Sequence, residues 1–156
     1  MFNEFKLMSS NESNAAKSTA GNKFNKYVAD LLDDLKLKNK IKEFEKEPRY
    51  NHPTKKFPQF SPDGEITLLS DKIIVYDNTT TVRHDRLKQK LWDAYGTKEN
   101  FQAKGIKIEY FVVVPNELSI KETKNYEKER KKITASEYFS TVDDIITVSA
   151  LMEKLQ

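Results

Sequence analysis

The chain has no cysteine, which excludes disulfides, zinc–thiolate centres and thiol nucleophiles together. It has two histidines, His52 and His84, too few for a multi-histidine metal site. No apolar run approaches the about 20 residues of a membrane span, and the N-terminus lacks the apolar core of a signal peptide. A soluble, cytoplasmic protein that does not enter a membrane is therefore the expectation. Neither sign of charge dominates, because 27 Lys and Arg against 24 Asp and Glu leave a net charge of +3. A sum that small does not by itself argue for a nucleic-acid partner.

The 156 residues suit one domain with a real core. Nine Phe and seven Tyr supply burial that a modest aliphatic content would otherwise deny. The cations are unevenly spread, concentrating at 36–56, 83–90 and 121–132. Residues 1–20 are rich in Ser, Asn, Ala and Lys without a usable period and read as a loose N-terminal arm or a frayed helix start. The domain proper then spans 21–156.

Within it, Ser18–Asn22 reads as a capping cluster. Phe24, Val28, Leu31, Leu32 and Leu35 have the spacing of an amphipathic helix. A second, charged helical stretch is predicted over 38–46, and Pro48, Pro53 and Pro58 mark 48–60 as an irregular basic connection. Ile66, Leu68 and Leu69, then Ile73–Val75, predict two strands joined around Ser70-Asp71. The second lacks alternation and suits a strand buried on both faces.

From Val82 to Tyr95 the pattern is helical, with Leu87, Leu91 and Ala94 inward and Gly96 as the stop. Trp92 and Tyr95 are expected to be core or helix-packing residues rather than base-stacking platforms. Ile106–Val114 is the strongest strand signal, ended by Pro115; 118–132 is charged and helical or a solvated excursion. Ser136–Phe139 reads as a short helical turn, Asp144–Val148 as a last strand, and Ser149 as the cap of a final helix. The predicted class is α/β, a central mixed sheet flanked by helices.

Residues 61–92 carry the chemistry. Asp63, in a Pro-Asp-Gly turn, opens the first strand of the pair and Asp77 closes the second. Glu65, two residues after Asp63, falls on the same side of its strand. Hydrolysis of a phosphodiester by Mg²⁺ needs one or two carboxylates to hold the ion, and cations for the charged substrate. The cations follow at once in Arg83, Arg86, Lys88 and Lys90, with Gln89 among them. Arg83, Arg86 and Lys90 share a helix face suited to a phosphate backbone. The bland reading is also open: Pro-Asp-Gly and Asp-Asn are ordinary turns, Thr79–Thr81 caps a helix, and His84 is a surface residue. Arg49–Lys56 is either solvated or a DNA-facing loop.

Pro62-Asp63, a hairpin, then Asp77-x-Thr79 resembles the Pro-Asp…(Asp/Glu)-x-Lys pattern of the restriction-endonuclease-like nucleases. Thr79–Gln89 is similar to the Lys-Thr-Thr-x-Arg-x-Arg-x-x-Gln stretch after the active site of some type II restriction enzymes. The resemblance covers roughly residues 20–115 and implies the restriction-endonuclease-like fold, with the opening helix against the active-site sheet. It implies an endonuclease on double-stranded DNA, using Mg²⁺ or Mn²⁺ and commonly acting as a homodimer. Asp63, Asp77 and the Thr79 position would be catalytic, with Asp63, Asp77 and Glu65 around the metal. Arg83, Arg86, Lys88, Gln89 and Lys90 would bind DNA, with Arg86 and Gln89 near the metal. The departure is Thr79, which stands where the family has lysine; Lys72, Arg83 and Lys88 are the candidates to replace it. Two other expectations stand beside this one: a catalytically inactive DNA-binding module on the same fold, and a protein-interaction or inhibitor domain whose acids are only turns.

Overall fold

The computed structural model describes residues 14–54, 56, 59–135 and 141–156. The predicted turn at Ser136–Phe139 and the arm up to residue 13 lie outside them.

The opening helix α1 runs Asn14–Leu37, so it begins before the predicted capping cluster. Ala and Lys are strong helix formers, and Ser18 and Thr19 cost only a few tenths of a kcal/mol each. The buried stripe of Ala20, Phe24, Val28 and Leu32 outweighs that cost. The predicted helix over 38–46 is instead a turn, with Asn39 at φ 57°, followed by strand β1, Glu43–Lys46. Only Phe44 of β1 turns inward while its neighbours stay exposed. That alternation belongs to an edge strand, where Glu and Lys also discourage further pairing. The basic connection contains a two-stranded ribbon, β2 (Tyr50–Asn51) with β3 (Gln59–Phe60).

Strands β4 (Gly64–Thr67) and β5 (Ile73–Asn78) form the expected antiparallel pair. Leu68 and Leu69 fall in its turn, where Asp71 takes φ 71°. Helix α2 spans His84–Gln102 and passes straight through Gly96. That glycine is a packing feature: a Cβ there would lie 2.1 Å from the Phe60 ring, so its absence lets the ribbon seat on the helix. The chain turns away at Gly105, φ 74°.

Strand β6 (Ile108–Val114) runs parallel to β5, and after α3 (Ile120–Thr134) strand β7 (Asp144–Thr147) runs parallel to β6. The last helix, α4, is Val148–Lys154, capped by Thr147 rather than Ser149. The sheet order β1-β4-β5-β6-β7 is mixed, giving an α/β sandwich with helices on both faces. Alternation along the strands divides the core. Ile74, Tyr76, Phe111, Val113 and Ile146 meet α1 and α4. Val75, Tyr110, Val112 and Ile145 meet the α2 and α3 face. By the same alternation Asp77 projects toward α2.

Candidate functional site

The antiparallel register aligns Gly64 with Tyr76, which brings the residues just beyond, Asp63 and Asp77, opposite each other. The Asp63 N–H donates to the Tyr76 carbonyl at 3.0 Å, continuing the ladder one step past β4. A Cβ at Gly64 would lie 2.3 Å from the Tyr76 ring, so only glycine lets that ring cross the strand and the hairpin close here. Asp63 accepts the Asn78 N–H at 2.7 Å on Oδ2, and its carboxyl is within hydrogen-bonding reach of Asp77.

Asp77 is 2% exposed, and a charge so placed needs partners. It has two. The Lys90 ammonium donates to Oδ1 at 3.2 Å, and the Tyr110 hydroxyl donates to Oδ2 at 2.9 Å. Tyr110 comes from β6, on the same sheet face as Asp77. Lys90 comes from α2, three residues after Leu87 and four before Ala94, both buried. It therefore stands on the inner stripe of the helix, among its apolar residues.

The charges act on one another as this crowding requires. Burial, then the negative charge of Asp77, pushes the Asp63 carboxyl up to about 7. Burial works against the Lys90 ammonium, but Asp77 and Asp63 outweigh it and hold the group protonated. Burial and Asp77 together drive the Tyr110 phenol far above its ordinary range, so it is a committed donor. Asp93, behind Lys90, is raised mainly by burial.

Of these groups Asp63 and Lys90 line a polar cleft of about 200 Å³, together with Asn22, Asn25, Asn78, Thr79–Thr81, Arg86 and Gln89, while Asp77 is buried next to it. The Asn78 amide donates to Asn25 at 3.1 Å, while its Oδ1 is buried and has no hydrogen-bond partner. The space is below the roughly 300–1,000 Å³ of organic-ligand pockets and suits a phosphodiester group with an ion. Wider grooves beside α3 (about 790 Å³) and at the β4–β5 turn (about 590 Å³) are each lined by one acid at most.

The predicted site residues fare differently. Asp63, Asp77, Arg86, Gln89 and Lys90 converge. Thr79 lines the cleft, but its hydroxyl donates to the Thr81 carbonyl at 2.6 Å in a local turn and carries no charge to stand in for lysine. Glu65 is held by the Tyr50 hydroxyl, two residue pairs along the hairpin. Among the described residues no group of three His, Cys, Asp or Glu is gathered for a metal. The structure thus gives two carboxylates rather than the expected three. They fit a divalent cation in one physical respect: the negative charge of Asp77 raises the ionisation cost of the half-buried Asp63 beside it, which an ion between them removes.

Arg83 lies outside the cleft lining, occupies the N-cap position of α2 without a side-chain cap, and its exposed side chain faces Asp85 at 3.6 Å. Lys88 is exposed. Lys72 pairs with Glu109, near the far end of β5. None of Lys72, Arg83 and Lys88 supplies the missing lysine; Lys90 touches Asp77 instead. The sequence contained that signal, a cation on the Leu87–Ala94 stripe, although the periodicity reading assigned Lys90 to the outer basic face. Tyr110 had no such signal, since only the β5–β6 register sets it beside Asp77. Comparison with models of protein families, with curated proteins and with solved structures found no match to this chain.

Proposed function

We propose that this is a metal-dependent endonuclease of the restriction-endonuclease-like fold, hydrolysing phosphodiester bonds of double-stranded DNA. The observation that carries the reading is the Lys90 ammonium 3.2 Å from Asp77, with Asp63 alongside and Arg86 and Gln89 on the same cleft. Two acids and one lysine are what the resemblance calls for; here the lysine comes from the following helix instead of position 79. The fold reading is supported by α1 packing on the sheet that carries both acids and by the hairpin, helix and parallel strand that follow in order.

Asp63 and Asp77 would hold Mg²⁺ or Mn²⁺. Bound there, the cation would offset charge developing on the phosphorus centre and make a water more acidic. The chain's own groups do the rest. Lys90 has three donors; one fixes Asp77, and the others would be available to the attacking water or a phosphate oxygen in the cleft that Lys90 lines. Tyr110 prevents Asp77 from rotating. Arg86 and Gln89, at the mouth, are set to grip phosphate oxygens. The inactive-module reading rested on Thr79, and Lys90 argues against it.

The test is relaxation of supercoiled mixed-sequence plasmid in Mg²⁺ or Mn²⁺. The protein is expected to nick or linearise it, with Asp77→Asn and Lys90→Ala each slower by about 10²–10³-fold at retained folding by circular dichroism. Intact plasmid in both metals, with DNA still retarded in a gel, would instead support the inactive binding module. Neither cleavage nor retardation would end the nucleic-acid reading.

A further inference from the structure

The aromatic residues of α2 expected to be core or helix-packing residues are on its outside. Trp92 is 53% exposed and Tyr95 is 40% exposed, one turn apart with ring centroids 5.9 Å from each other and 30° between planes. The row extends at both ends, Trp92 lying 5.7 Å from Phe60 and Tyr95 lying 6.3 Å from His52. It is firmly built. Phe60 is fully buried and wedged against the backbone of Gly96, and the ribbon is tied down again by Tyr50 on Phe101 at 5.2 Å. Burying such rings is normally a major source of stability, so two left in water on a rigid helix call for a ligand.

The surroundings say which. Residues 50–60 contain two lysines and a histidine but no acid. Arg49 and Lys56 are exposed on the ribbon side, and Lys88 is exposed one turn before Trp92. Aromatic faces fringed by cations are complementary to a strand with bases on one side and phosphates on the other. The platform stands on the same helix as Lys90: Trp92 and Tyr95 follow it by two and five residues, roughly 3–8 Å along the axis, but on the outer side of the helix. Phe60 precedes Asp63 by three residues.

We infer that Trp92 and Tyr95 form a stacking platform for an unpaired base, and that the preferred substrate is a DNA with a single-stranded stretch adjoining the duplex at the cleavage site. This rests on the phosphodiester reading of the Asp63–Asp77–Lys90 cleft and narrows its substrate class.

Trp92 is the one tryptophan of the chain beside seven tyrosines, so emission excited selectively from tryptophan reports on the platform alone. The full chain, without metal, is titrated with a duplex bearing an oligo-dT overhang and with the same duplex blunt. Binding is followed independently by the anisotropy of a label on the DNA. The overhang is expected to quench Trp92 and to bind about ten-fold more tightly than the blunt end. Tyr95→Leu, which keeps bulk but not the aromatic face, should bring that ratio towards one, and Tyr95→Phe should restore it. Equal affinity for both DNAs with Trp92 unquenched overturns the platform while plasmid cleavage leaves the nuclease reading standing. A Trp92 emission shift that depends on protein concentration without DNA also overturns it, in favour of a second copy on this face. Failure to bind or cleave any DNA removes the parent reading and this one with it.

Discussion

Asp63 is where the proposed site costs stability. Its carboxyl is raised from 3.8 to about 7 by burial and by Asp77, so the folded state prefers it protonated. A folded-state value above the unfolded one contributes stability fully below about pH 4 and loses it as pH rises through about 7. The loss is on the order of 2–4 kcal/mol. Urea unfolding of the metal-free protein should therefore give a lower stability at pH 8 than at pH 5. Asp63→Asn, with no charge to bury, should flatten most of that slope and be the more stable protein at pH 8. The difference between the two proteins cancels any contribution from His52 and His84. Mg²⁺ should recover much of the loss in the parent at pH 8 and little of it in the variant. A parent whose stability is unchanged from pH 5 to 8 relative to Asp63→Asn would mean that the carboxyl is not strained by its neighbour.

At the scale of elements, the site depends on the way α2 enters the fold. The Val82 N–H, just ahead of the helix, donates to the buried Glu122 side chain at 2.6 Å. Glu122 is the fourth residue of Ser119-Ile120-Lys121-Glu122, and Ser119 accepts the Glu122 N–H as a proper cap of α3. In an ordinary capping box the glutamate would reach back to its own N-cap; here it crosses to another segment. One carboxylate so ties α3 to the start of α2 and fixes the axis from which Lys90 projects. Glu122→Ala removes a charge-assisted bond and leaves a buried N–H unmet, at a cost of about 1.5–3 kcal/mol in chemical denaturation. Cleavage should fall along with it, since Lys90 shifts with its helix, while Glu122→Gln, whose amide oxygen still accepts, should retain most of both. Full activity in a destabilised Glu122→Ala would show that α2 is held by its other contacts.

At the scale of the molecule, a net charge of +3 gives a weak overall field, so the DNA affinity proposed above would have to come from local cations. Arg86 lines the cleft and Lys88 lies two residues on, exposed. Binding should weaken with salt, and the slope of log affinity against log salt should drop by about one unit for Arg86→Ala, with the loss similar for all DNA sequences. An unchanged slope in the variant would mean that Arg86 does not meet a phosphate. Among the described residues no helix is long and apolar enough to cross a membrane.

Much of this was readable locally. The apolar, largely β-branched stretches Ile73–Val75 and Ile106–Val114 announced the two central strands, the second of which begins at Ile108, and strand ends next to Pro62-Asp63-Gly64 and Asp77-Asn78 located both acids. Backbone propensity and alternation suffice for that, because a buried strand needs little information from outside itself. Other features needed long-range packing. A Glu- and Lys-rich β1 became a strand only because Ile66 pairs with Phe44. Gly96 lay inside a helix because Phe60 filled the space beside it. Trp92 and Tyr95 stayed outside because Leu87, Lys90 and Ala94 set the phase of α2 against the sheet. The sequence by itself determined the elements of the central sheet and the acids at their ends. Tertiary structure alone decided that Lys90 and Tyr110 would complete the cluster, since the sheet register and the rotation of a helix are set by which distant surfaces bury each other.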